Sequence, residues 1–206
     1  MNPKTKIILT AVLGLAWAGS AVFGARALIK YETQPGKIGQ LSSAWPSGSA
    51  IEMAKDRPTL VMFAHPQCPC TRASISELAQ VMAHVRDKVR AYVFFYTPRE
   101  TESEWRDSNS RRQAVQIPGV VVLSDFDGAQ AARFGAETSG HSFLFDPTGH
   151  LIFNGGITAS RGHVGDNAGA DAIVSLIDKH VAGPAKTFVF GCSIAGRNRN
   201  KVPCLK

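Results

Sequence analysis

Two cysteines separated by a single proline, Cys68-Pro69-Cys70, are the residues of this chain best suited to chemistry. Proline fits the first position of an α-helix, where its missing N–H would have had no partner anyway. If Pro69 opens a helix, Cys68 is its N-cap, and the sulfur faces unsatisfied N–H groups and the positive end of the helix dipole. That setting favours the thiolate, the form that attacks disulfides and peroxides and binds soft metals. The competing reading makes Cys68 and Cys70 buried structural thiols, but a pair flanking a proline at a strand-to-helix turn argues for redox or metal chemistry. In a redox reading Cys70 resolves from two residues away, closing a tight, strained ring that is easily reduced and hence oxidising. Otherwise Cys192 resolves, arriving from the C-terminal tail.

Several elements must position these sulfurs. Residues 59–63 (TLVMF) form a short continuous apolar run, the pattern of a buried strand. After the Pro/Cys-rich turn, Ile75, Leu78, Met82 and Val85 recur at helical spacing, with Ser74 and Glu77 in capping-box spacing near the helix start. Residues 90–96 (RAYVFFY) are a second strand, residues 102–115 a polar helix, and residues 120–123 a third strand, after which Asp127 is positioned to cap a short helix ending at Phe134. Two further strands flank the turn Asp146-Pro147-Thr148-Gly149, and a last amphipathic helix carries Ile173, Leu176, Ile177 and Val181. The order β-α-β-α-β-α-β-β-α requires parallel crossovers and a closing antiparallel hairpin, hence a mixed α/β sheet with helices on both faces.

The strand leading into Ala64-His65-Pro66-Gln67-Cys68-Pro69-Cys70-Thr71, and the hairpin Gly140-His141-Ser142-Phe143-Leu144-Phe145-Asp146-Pro147-Thr148-Gly149, resemble the thioredoxin-like superfamily over residues 58–182. Within it the chain is most similar to RedB-type redoxins, through Cys-Pro-Cys-Thr-Arg-Ala-Ser, the Ser-Arg-Gly-His segment and the late Phe-Gly-Cys. The resemblance implies a thioredoxin-like fold and a thiol oxidoreductase, with Cys68 at the nucleophile position. Thr71 then fills the slot of the usual resolving cysteine, so the ordinary C-x-x-C is absent. The superfamily usually places a cis-proline against the cysteine pair before the hairpin; here Ser139-Gly140-His141 fills that register and is expected to hold the substrate backbone.

The same topology returns the chain to the cysteine side after Phe153. Residues 155–167 are long for a link and aperiodic, which suits a functional loop, although a solvated glycine-rich loop explains them as well. Arg161 in this loop would lower a thiolate pKa by Coulombic attraction, and His163 could move protons or ligate metal. A rival reading follows: Cys68, Cys70 and His141 or His163 bind copper(I) or zinc, as soft thiolate and imidazole sets do, which resembles copper-delivery members of the fold. His65 adjoins the turn and is placed to tune it.

Upstream, Lys4 and Lys6 precede nineteen uncharged residues, 7–25, closed by Arg26. As a helix these span about 28 Å, near the thickness of a bilayer core. Residues 1–27 therefore read as a signal anchor or a cleaved signal peptide, the length favouring the anchor, with the remainder exported to a periplasmic or other extracytoplasmic side where disulfides persist. Residues 28–57 read as a tether or loosely packed lead-in. Residues 183–206 form a basic tail containing Cys192 and Cys204, for which a Cys192–Cys204 bridge is the simplest structural account and a partnership of Cys192 with Cys68 or Cys70 the functional one. The net charge of +7 is scattered without an aromatic-interleaved strip, which argues against nucleic acid. No P-loop, dinucleotide fingerprint or His-Glu-x-x-His motif occurs. The expected partners are a protein thiol or disulfide, or a small oxidant.

Overall fold

The computed structural model describes residues 2–101, 105, 107–178 and 186–194. The chain divides into two compact units, Met1–Gln34 and Pro35–Lys206. The first is one helix, α1 (Pro3–Thr33), with the Asn2 side chain accepting from the Lys4 N–H at its start. At about 1.5 Å per residue its 31 residues measure roughly 46 Å, and it is long and apolar enough to cross a membrane. Residues 28–33, expected to begin the tether, continue this helix.

The second unit is built on five strands: β1 (Thr59–Ala64), β2 (Arg90–Thr97), β3 (Val120–Phe126), β4 (His141–Phe145) and β5 (Leu151–Gly155). They lie in the order β3-β2-β1-β4-β5, with β1, β2 and β3 parallel and β4 and β5 antiparallel. This is the mixed sheet the sequence predicts. Among the described residues, the helices α2 (Pro69–Val85), α3 (Asn109–Val115), α4 (Ala129–Phe134) and α5 (Ala168–Asp178) pack around it.

Every residue of β1 is buried, as a strand covered on both faces must be. Alternation sends Leu60, Met62 and Ala64 to one core with Ile75, Leu78 and Val81 of α2 and Ile173 of α5. Val61 and Phe63 point into the other, where Phe134, Phe143 and Phe145 gather. The ring of Phe63 stacks on Phe94 at 5.4 Å, and Trp45 meets Phe134 and Phe145 edge-on. Residues 35–57 are thus tied to the sheet: besides Trp45, the Gly39 N–H donates to the Gly135 carbonyl and the Leu151 N–H to that of Ser43.

Three local expectations are corrected. Helix α2 begins at Pro69, so Ser74 lies in its second turn and donates back to the Cys70 carbonyl instead of forming a capping box with Glu77. Helix α4 is capped by Asp125, whose carboxylate accepts from the Gln130 and Ala131 N–H groups, because Asp127 has a left-handed backbone (φ 55°) and turns to the Arg99 N–H. Helix α3 starts only after Ser108, whose hydroxyl accepts from the Arg111 N–H; residues 102–104 and 106 of the expected longer helix lie outside the described residues.

Candidate active site

Cys68 is the N-cap of α2 with extended backbone (φ −82°, ψ 122°), and Pro69 occupies the first helical position. The turn before it is closed by the Cys68 N–H donating to the His65 carbonyl at 3.1 Å. Cys68 and Cys70 are both buried, 3% and 7% exposed. One sulfur within reach of Cys68 comes from the tail: Cys192 Sγ is 3.0 Å from Cys68 Sγ, and the Cys192 N–H donates to Cys68 Sγ at 3.4 Å. All three cysteines are thiols.

Three sulfurs around one helix terminus share their protons unequally. Hydrogen bonds from the Cys192 thiol, then from the Cys70 thiol, hold Cys68 far below the ordinary thiol range, against the burial that opposes charge. Cys70 is driven up by that same bond to Cys68, by burial and by the Cys68 charge, while the Arg161 guanidinium pulls it back. Cys68 is therefore the sulfur placed to ionise, and Cys70 holds its proton.

Ser139 ties the surroundings together. Its hydroxyl accepts from the His65 N–H at 2.9 Å and lies 2.8 Å from the Thr71 hydroxyl, which donates to the His65 carbonyl. Thr71 thus braces the turn and makes no contact of its own with a thiol among these bonds. Gly140, with φ 89°, donates its N–H to the Phe63 carbonyl, and a Cβ there would lie 2.7 Å from the Ser74 hydroxyl. Arg161 reaches back from the loop after β5 and donates to the Gly191 carbonyl at 2.6 Å. That loop is anchored on α2: buried Glu77 accepts from the Gly165 N–H and from the Asn167 side chain. Sequence reasoning missed this role for Glu77, because its spacing from Ser74 suited a capping box.

His141 pairs with Phe63 across the sheet, fully buried, with its ring 4.1 Å from that of Phe143. Neither of its nitrogens has a hydrogen-bond partner, and burial lowers its pKa to about 3. His163 is exposed. Among the described residues no three His, Cys, Asp or Glu side chains form a group able to hold a metal, so the set Cys68, Cys70, His141 and His163 is not assembled as copper or zinc ligands. His65 stacks on Tyr96 and meets Trp105 edge-on, and burial lowers its pKa while the Cys68 charge raises it. Cys204, and with it the Cys192–Cys204 bridge, lies outside the described residues.

A mixed sheet in this order, with a cysteine at the N-terminus of the first crossover helix and an antiparallel hairpin beside it, is a thioredoxin-like fold. Solved structures to which the chain is similar include a hypothetical protein from Sinorhizobium meliloti (18% identity, TM-score 0.57, covering 77% of this chain and 98% of that one) and an uncharacterised conserved protein from Geobacillus kaustophilus (16%, 0.56, covering 82% and 95%). Another is an exposed lipoprotein thioredoxin from Streptococcus pneumoniae (16%, 0.45, covering 61% and 86%). No family profile matches the chain, and no curated protein matches it.

Proposed function

We propose that this chain is a membrane-tethered thiol–disulfide oxidoreductase of the redoxin kind, with Cys68 as its nucleophile and α1 as its anchor. The observation that carries the reading is the position of Cys68: a buried sulfur at a helix N-cap, with a second thiol 3.0 Å away. An ionised sulfur there attacks a partner disulfide, and a neighbouring thiol releases the partner. Arg161 assists by its charge beside Cys70, and Thr71 by holding the turn through the His65 carbonyl. The partner is a protein disulfide or a small oxidant on the extracytoplasmic side, where the resemblance to RedB-type redoxins also points.

Insulin reduction and peroxide consumption by wild type and Cys68→Ser test this. Activity in the wild type that vanishes in Cys68→Ser supports the reading. Equal activity in both overturns it.

A further inference from the structure

The Cys68 site contains more than its cysteines: a segment from the C-terminal tail, joined to the sheet by isolated bridges like an added strand, runs through it. Residues 186–194 enter along β5, where the Thr187 N–H donates to the Asn154 carbonyl and the Gly156 N–H to that of Phe188. They then reach the segment before β4. There the Ser139 N–H donates to the Cys192 carbonyl at 2.8 Å and the Ile194 N–H to the Glu137 carbonyl at 2.9 Å, framing an antiparallel bridge between Thr138 and Ser193. Bonds in both directions between two backbones are how a sheet edge receives an added strand. This edge adjoins Cys68, where the backbone of an incoming disulfide would lie.

The approach is close enough to need glycine. A Cβ on Gly191 would lie 2.1 Å from the Ser139 carbonyl oxygen, and Arg161 holds the Gly191 carbonyl from the other side. The next residue then delivers its sulfur to Cys68.

From this geometry we infer that residues 188–194 are an internal mimic of the disulfide substrate, occupying its backbone edge and presenting Cys192 as the thiol that resolves the Cys68 mixed disulfide. The inference rests on the proposed oxidoreductase reading and adds the order of events. The strand leaves the edge, and the Cys68 thiolate attacks one sulfur of the partner disulfide. A Cys68–partner S–S bond forms, the partner's own S–S bond breaks, and its freed thiolate takes up a proton. The strand returns, Cys192 gives up its proton and attacks Cys68 Sγ, and the Cys68–Cys192 bond forms as the second partner sulfur leaves as a thiol. The partner gains two electrons and the chain loses them.

The test uses the full reduced chain with oxidised glutathione as the disulfide probe, quenched by acid and mapped by peptide mass spectrometry. Wild type and Cys70→Ser should finish with a Cys68–Cys192 link, while Cys192→Ser should accumulate glutathione on Cys68. A Cys68–Cys70 or Cys192–Cys204 link as the wild-type product overturns the inference, as does Cys192→Ser clearing the adduct at the wild-type rate. Where the link or the cleared adduct involves Cys68, the oxidoreductase reading survives, since Cys68 has reacted. No adduct or link at Cys68 in any variant ends both. Occupation of the edge is read separately in Gly191→Val, checked for native unfolding: Cys68 alkylation should accelerate about tenfold, equivalent to a blocking contact of about 1.4 kcal/mol. An unchanged rate shows that the strand does not cover the site.

Discussion

His141 is a neutral imidazole in the middle of a hydrophobic sheet, and its cost depends on pH. In the folded chain its pKa is about 3, against about 6.5 once exposed. Between these values the unfolded chain binds a proton that the folded chain refuses, so stability falls as the pH is lowered through 6.5 and the loss levels off near 3. At about pH 5 the gap covers roughly 1.5 pH units, or about 2 kcal/mol. His141→Phe keeps a planar ring against Phe143 and removes two buried nitrogens without partners. Urea unfolding of the full reduced chain in mild detergent, at about pH 7.5 and about pH 5, measures the difference. Wild type should lose about 2 kcal/mol more on acidification than the variant, and the variant should be no less stable at the higher pH. Equal acid losses in the two proteins would refute the assignment of His141 as a buried neutral core residue.

Other perturbations have equally direct readouts. The rate of Cys68 alkylation in the reduced chain should stay near its plateau well below neutral pH, because Cys192 and Cys70 stabilise the thiolate; the Cys70→Ser/Cys192→Ser double variant should shift the profile up towards an ordinary thiol near about 8.5. Glu77→Gln weakens the acceptor for the Gly165 N–H, and hydrogen exchange at Gly165 should quicken in step with a loss of about 1–3 kcal/mol in unfolding experiments. Gly169→Ala places a Cβ 2.0 Å from the Gly156 carbonyl oxygen, so urea unfolding should show a loss of about 1–3 kcal/mol.

The strands were legible because β1, β2 and β3 each contain a continuous apolar run; in β1 and β2 such a run reports burial, while β3 is only half-buried and ends in Ser124, Asp125 and Phe126. Cys68 as an N-cap was legible from Pro69 alone, since the proline's preference is local. The misplaced caps have a common cause. Asp125 and Asp127 are both able to cap α4, and the choice is made by the left-handed turn between strand and helix, which two aspartates on either side of Phe126 do not specify. The packing of residues 35–57 and the course of the tail depend on backbone bonds between distant segments, such as Gly36 with Val189, and no periodicity encodes them. The same holds for Cys192: its sequence neighbours give its type but not its address.

The bond from the Gly36 N–H to the Val189 carbonyl pins the tail three residues before Cys192. Any excursion that uncovers Cys68 is thus hinged at Val189, and the displaced thiol stays on a leash only a few bonds long. A tethered thiol of this kind attacks as though present at very high effective concentration. Adducts between Cys68 and a client would accordingly be fleeting in the unaltered protein, and fishing for its clients calls for bait in which Cys192 has been replaced.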